Sequence, residues 1–264
     1  MKFKAGFIGC GNMGGALARA AASSIGGEQI AVCDSDKAKS SLLCKECGAT
    51  ELLFEEIIDT CEFVFLGVKP QAMSNVLTPY TKQINDSTAI IVTMAAALTI
   101  DYFEKQLGIT RPIIRIMPNT PAAVGEGMIL FDGNKLVTNE MFSEFCKILN
   151  NAGMLDNLSE HLIDAGSAVS GCGPAFAFIF AEALADAGVE CGLPRDKALL
   201  YAAQMLKGSA ELILQEGNPA VLKDRVCSPG GTTIAGVHAL ENGAFRAAAM
   251  NAVTSAYKRT LELK

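Results

Sequence analysis

Six residues near the N-terminus, Gly9-Cys10-Gly11-Asn12-Met13-Gly14, limit what this chain can fold into more than any other stretch. They follow directly on a β-type run at 4–8 and open an amphipathic helical pattern at 13–24. Glycines at this spacing permit a tight turn, close backbone approach to a pyrophosphate, and close packing of helix on strand. The helix N-terminus adds unpaired N–H groups for the anion. A strand, a turn and a helix in this order point to dinucleotide binding; the alternative is a glycine turn that serves packing alone.

The rest of the first 158 residues keeps the same rhythm. Short apolar runs at 3–8, 29–33, 63–68, 89–94, 113–117 and 128–131 alternate with amphipathic stretches at 13–24, 36–47, 71–83 and 139–151. Several runs are continuous apolar blocks of the kind a parallel sheet buries on both faces. This βαβ alternation predicts an α/β fold, a Rossmann-type doubly wound parallel sheet. From about residue 159 strand-like runs disappear. Ala/Leu-rich stretches follow one another, broken at Gly192-Leu193-Pro194, Gly217-Asn218-Pro219 and Ser228-Pro229-Gly230-Gly231. Two domains are therefore expected in the 264 residues, a dinucleotide-binding domain over 1–158 and an all-helical domain over 159–264.

Composition removes several function classes. Lys plus Arg number 22 against 28 Asp plus Glu, and no window shows the basic stripe that a phosphate backbone requires, so nucleic acid is not an expected partner. The best apolar run, 89–100, is too short for a membrane span and is interrupted by Thr93 and Thr99, so no transmembrane helix is expected. The 9 cysteines are odd in number and scattered through apolar segments, as thiols of a reducing compartment are, and the cytoplasm is the expected location. Cys44-x-x-Cys47 has no second pair, and His161 and His238, the only histidines, lie in no triad or metal pattern. No metal is expected. The missing acid–base machinery suits hydride transfer, in which the cofactor supplies the chemistry and the protein supplies position.

Candidate binding residues fall where the chain leaves each strand. Asp34 lies 20 residues after Gly14, where a carboxylate bonds the ribose 2′-OH of NAD; Ser35, Lys37 and Lys39 beside it suit a 2′-phosphate instead, so NADH and NADPH both stay open. Gly67-Val68-Lys69-Pro70 ends another strand on the same sheet edge and either contacts the coenzyme or merely starts the next helix at Pro70. Met117-Pro118-Asn119-Thr120-Pro121 makes a stiff loop on that edge and places Asn119 with the coenzyme set. In the helical half, Ser228-Pro229-Gly230-Gly231-Thr232-Thr233 offers consecutive amides and two hydroxyls, either a receptor for a carboxylate or an ordinary capped turn.

Taken together and in order, these motifs resemble the pyrroline-5-carboxylate reductase family. The likeness spans nearly the whole chain: the glycine loop, Val68-Lys69-Pro70, Arg115-x-Met117-Pro118-Asn119-Thr120-Pro121, Ser170-Gly171-x-Gly173-Pro174-Ala175, Gly192-Leu193-Pro194-Arg195, and Leu222-Lys223-Asp224 followed by Ser228 through Ile234. The resemblance implies hydride transfer from NADH or NADPH to the C=N bond of 1-pyrroline-5-carboxylate, giving L-proline in the last step of proline biosynthesis. It implies that the amides of Gly231, Thr232 and Thr233, in the turn with Gly230, hold the substrate carboxylate and that the Thr233 hydroxyl bonds the ring nitrogen. Val226 would line the pocket and Glu160 lie near the substrate. On the coenzyme side it carries over Ile8, Gly9, Cys10, Gly11, Asn12 and Met13, then Val68, Lys69 and Pro70, and Met94, Ala95 and Ala96. It also implies a homodimer through interlocked C-terminal helices and larger rings of dimers, up to a decamer. Two readings compete with it, a hydroxyacid dehydrogenase of similar layout and a silent NAD(P)H sensor. The first usually needs a catalytic Lys where this chain has Ser/Thr/Gly loops. Four positions depart from the family pattern: Phe54 where relatives often have Asn against the coenzyme, Cys172 and Phe176 where they have Ser and Tyr, and Asp34 where they hold a 2′-phosphate.

Overall fold

A computed structural model describes residues 2–108 and 111–263. Eight strands form one sheet: β1 (Phe3–Ile8), β2 (Ile30–Cys33), β3 (Thr50–Glu51), β4 (Cys61–Leu66), β5 (Ile90–Thr93), β6 (Ile113–Met117), β7 (Gly127–Gly133) and β8 (Gly153–Asn157), in the spatial order β3-β2-β1-β4-β5-β6-β7-β8. The chain builds outward from β1 through β2 to β3, then returns to lay β4 on the other side of β1. That reversal opens a crevice beyond the carboxyl ends of β1 and β4, the place where open α/β sheets bind ligands.

One pairing departs from the all-parallel expectation. β6 and β7 are antiparallel, because the link from Met117 to Gly127 is shorter than the dozen or so residues a parallel crossover needs. The edge strands β3 and β8 carry no continuous apolar run, which is why the sequence pattern passes over them.

The helices of this part are α1 (Asn12–Ile25), α2 (Lys37–Cys47), α3 (Phe54–Thr60), α4 (Met73–Leu77), α5 (Thr81–Asp86), α6 (Ile100–Leu107), α7 (Asn139–Ile148) and α8 (Glu160–Ser170). The expected helix over 71–83 is broken into α4 and α5 by a 3₁₀ turn at Thr78–Tyr80, since Pro79 has no N–H to continue the ladder. α3 and α6 are too short for periodicity to reveal; α6 is marked instead by its cap, the Thr99 hydroxyl accepting the Tyr102 N–H at 3.2 Å. Apolar side chains fill both faces of the sheet. Leu17, Phe65 and Phe145 lie in one layer, and Ile57, Leu77 and Phe103 in the other.

The glycine loop depends on a contact that only glycines allow. Gly9 has φ +97°, a region that favours glycine, and its carbonyl oxygen lies where a Cβ on Gly14 would overlap it. A Cβ on Gly67, at the end of β4, would come within 2.6 Å of the same oxygen. Three backbone segments thus meet with no side chain between them.

A second constraint sits at the other end of the sheet. Arg115 on β6 is fully buried and pairs with Asp164 of α8 at 2.6 Å and with Glu160 at 3.5 Å. Glu160 Oε1 also accepts the Ile100 N–H that begins α6, at 2.7 Å, while Asp132 of β7 accepts the Glu160 N–H at 2.6 Å. One buried guanidinium and three carboxylates therefore tie the starts of α6 and α8 to the sheet.

Contacts divide the chain into two compact units. One runs through Cys172 and includes the stretch from Ala256 on; the other is Gly173–Ser255. Periodicity changes at about 159, whereas α8, with Ile163 packed on Met117 and Leu130, belongs to the first unit. The second unit contains α9 (Gly173–Glu190), α10 (Arg195–Glu216), α11 (Pro219–Val226), α12 (Thr232–Asn242) and most of α13 (Phe245–Glu262). α9 and α10 approach closely where Gly188 meets Ala198. Among the described residues of this unit, the buried hydrophobics are Ala185, Ala198 and Ala202 alone, while Phe178, Ile179, Leu200, Leu214 and Met250 are exposed. Helices with such faces need another surface to cover them.

A further correction concerns the helical stretch Glu160–Glu190, which is long and apolar enough to cross a membrane by length and composition. A search for one unbroken apolar run misses it, because Ser170-Gly171-Cys172-Gly173-Pro174 reads as a turn.

Two substitutions test these constraints. Gly14→Ala should lower stability by about 1–3 kcal/mol through overpacking against Gly9, read by urea denaturation. Arg115→Met should cost about 3–5 kcal/mol, since a buried carboxylate loses its cation, and the same transition measures it.

Candidate functional site

Beyond β1, β2 and β4 lies a groove of about 710 Å³, lined among others by Ile8, Gly9, Gly11, Asp34, Ser35, Val68 and Lys69. Its floor is the glycine loop. The Gly9 N–H donates to Cys33 O at 2.8 Å and the Gly67 N–H to Ile8 O at 2.7 Å, which holds the ends of the three strands together. Gly11 caps α1 without a side-chain acceptor, and no acidic residue occupies its first turn, so the helix start is open to an anion. A Cβ on Gly11 would meet nothing within 4 Å, which is the clearance a pyrophosphate needs. These residues therefore fit a dinucleotide.

Asp34 braces this loop. Its Oδ2 accepts the Cys10 N–H at 2.6 Å and its Oδ1 the Asp36 N–H at 2.8 Å. Burial, reinforced by the Asp34 charge, pushes the Cys10 thiol up to about 12, so this cysteine stays protonated at neutral pH and is no nucleophile. The far wall of the groove was not evident from motifs. Phe54 and Tyr80 stack with ring centroids 4.1 Å apart and an interplanar angle of 19°, beside Val76 and Pro79. Phe54 stands out in the sequence only as a departure from the family pattern; Tyr80 lies in the irregular segment around Pro79 and has no motif.

Other expected residues lie elsewhere. Pro70 begins a 3₁₀ turn, Pro70–Ala72, while Val68 and Lys69 line the groove, so the two readings of this motif are compatible. Met94, Ala95 and Ala96 follow β5 and are not among the groove's lining residues; Ala95 is buried, with its N–H bonded to Thr93 Oγ1 at 3.3 Å. Asn119 is buried, and both ends of its amide are engaged: Nδ2 donates to Ser170 O at 2.9 Å and Oδ1 accepts the Met128 N–H at 2.9 Å. Its side chain thus links α8 to β7, with one amide hydrogen and one carbonyl lone pair committed to that link. Glu160 is fixed through Oε1 by Arg115 and the Ile100 amide.

In the second unit the turn before α12 takes the expected form. Gly230 has φ +69° and the Gly231 N–H donates to Ser228 O at 3.0 Å. That bond commits one of the three amides expected for a carboxylate, so the Gly231 N–H holds the turn instead. Gly231 caps α12 without a side chain, which leaves the Thr232 and Thr233 amides at an open helix start, with both residues exposed. Val226 lines an apolar groove of about 430 Å³ with Leu212, Ile213 and Leu222. Among the described residues no group of His, Cys, Asp and Glu could hold a metal ion.

Known proteins match both parts. Residues 160–263 fit the family described as pyrroline-5-carboxylate reductase dimerisation, which covers the exposed helical faces, and residues 4–96 fit the one described as NADP oxidoreductase coenzyme F420-dependent. The chain is 40% identical over 268 residues to pyrroline-5-carboxylate reductase of Escherichia coli, covering 100% of this chain and 99% of that one. It is 38% identical to the enzyme of that name from Arabidopsis thaliana, covering 99% and 95%. Among solved structures, Plasmodium falciparum pyrroline carboxylate reductase with NADP bound superposes with a TM-score of 0.87 at 32% identity, covering 98% of each chain. That of Coxiella burnetii does so with a TM-score of 0.90 at 29% identity, covering 100% and 99%. An open glycine-loop groove, an open helix start at Thr232 and full-length likeness to these enzymes agree: this chain belongs to the pyrroline-5-carboxylate reductase family.

Proposed function

We infer that this chain reduces 1-pyrroline-5-carboxylate to L-proline with NAD(P)H, and that its two halves divide the work. Residues 1–158 bind the coenzyme; residues 159–264 bind the substrate and form the dimer. The observation that carries this is the open start of α1 above Gly9, Gly11 and Gly14, with no acid and no side-chain cap to occupy it.

When bound, the nicotinamide supplies the hydride that the imine carbon accepts. The chain's own residues bind and orient. The Gly11, Asn12 and Met13 amides, with Ile8, Cys10 and Gly14 around them, hold the pyrophosphate, while Asp34, Ser35, Val68, Lys69 and Pro70 border the rest of the coenzyme. Met94, Ala95 and Ala96 are assigned to the nicotinamide side on the family pattern. On the substrate side the Thr232 and Thr233 amides, in the turn set by Gly230 and Gly231, bind the carboxylate at the positive end of α12. The Thr233 hydroxyl bonds the ring nitrogen. Glu160 and Val226 are each assigned to the substrate on the family pattern. A protonated imine is already electrophilic, so alignment supplies most of the catalysis, and no metal is required.

Exposed helical faces in the second unit support a homodimer as the working form, with rings of dimers up to a decamer as the further assembly. Nine free cysteines support a reducing compartment, the cytoplasm. Neither nucleic acid nor a membrane is assigned as a partner.

Pure protein should oxidise NADH or NADPH only when pyrroline-5-carboxylate is present, followed at the nicotinamide absorbance; a folded sample that binds coenzyme but shows no such turnover refutes the reading. Thr233→Ala should lower kcat/KM by about 10²-fold or more while coenzyme affinity stays within about twofold, read by steady-state kinetics beside coenzyme titration.

A further inference from the structure

We propose that Asp34 makes this enzyme discriminate in favour of NADH over NADPH. The inference rests on the coenzyme reading of the groove and adds which coenzyme that groove selects. β2 ends at Cys33 and delivers Asp34 to the groove rim, beside the glycine loop and Ser35. There the carboxylate is anchored rather than free: Oδ2 accepts the Cys10 N–H at 2.6 Å, and Oδ1 accepts the Asp36 N–H at 2.8 Å and the Ser35 hydroxyl at 3.5 Å. Turning it out of the groove would break a bond to the phosphate-binding loop and another at the start of α2, where Asp36 caps the helix through the Ala38 N–H.

Oδ1 is taken up by the Asp36 amide and the Ser35 hydroxyl, while Oδ2 keeps a second lone pair beyond the Cys10 amide, so Asp34 remains an acceptor for a ribose hydroxyl through Oδ2 while staying in place. A 2′-phosphate would instead set nearly two negative charges against a carboxylate that cannot withdraw. The nearby cations do not reverse this. Lys39 also lines the groove, but it lies 3.5 Å from Asp36 and is half exposed, so its charge is shared with another acid and screened by water. Lys37 is exposed, and Lys69 stands on the β4 side of the groove. The stacked Phe54 and Tyr80 form an apolar wall of the same groove whose polar rim carries Asp34, a surface that an adenine ring would fit.

Steady-state kinetics with pyrroline-5-carboxylate and each coenzyme should give a kcat/KM for NADH at least about tenfold above that for NADPH, a difference of 1.4 kcal/mol. Equal values, or a preference for NADPH, would overturn the proposal. Asp34→Asn keeps an oxygen acceptor for the Cys10 amide and removes the charge, so the ratio should narrow through a lower KM for NADPH. Asp34→Ser should narrow it further or invert it. If either folded variant loses both coenzymes equally, Asp34 only shapes the loop and the proposal fails. Should the protein not turn over pyrroline-5-carboxylate with either coenzyme, the reductase reading fails separately. The preference is then read from direct titration of NADH and NADPH by nicotinamide fluorescence, in a chain with no Trp to interfere.

Discussion

Three backbone segments converge on the carbonyl oxygen of Gly9, and the rest of the first unit depends on that contact. Gly14 at the start of α1 and Gly67 at the end of β4 both lie where any Cβ would collide with it. The approach brings the helix axis close enough to the strand ends for its free amides to face the groove. It also leaves open the space above Gly11 where a phosphate group fits. Helix dipole, amide donors and clearance are thus consequences of one steric requirement.

Arg115 plays the corresponding part at the other side of the sheet. A buried guanidinium has no value without its acids, and here it orders them: Asp164 directly, Glu160 through one oxygen, and the start of α6 through Glu160. Sequence motifs single out Arg115 only as a family signature and give it no role. Its partners are 45 and 49 residues away, a separation that no local pattern encodes. Asn119 repeats the lesson. Its position on a stiff loop at the binding edge places it with the coenzyme set, and only the fold shows that its amide joins Ser170 to Met128. A polar side chain between two prolines reads the same in sequence whether it turns toward a ligand or into the protein.

The second unit raises the opposite question, because its apolar residues are in plain view along the chain but not inside a core. Small residues such as Gly188 and Ala198 let α9 and α10 pack closely, while the larger Phe178, Ile179 and Leu214 are exposed.

Sequence alone determined what depends on local order: the strand–glycine–helix start, the alternation that makes a doubly wound sheet, the helical second half, and the threonine turn before α12. Each rests on neighbours within a few positions, where periodicity and conformational preference act directly. Tertiary structure decided the rest. It turned β7 antiparallel because the link before it is short, split the helix around Pro79, and stacked Phe54 on Tyr80 across a gap of 26 positions. It also engaged both ends of the Asn119 side chain and fixed Asp34 to the Cys10 amide. For Tyr80, Ser170 and Asp34 the partner is brought close only when the sheet assembles, so hydrogen-bond and packing partners distant along the chain, unlike propensities, are read from the folded chain.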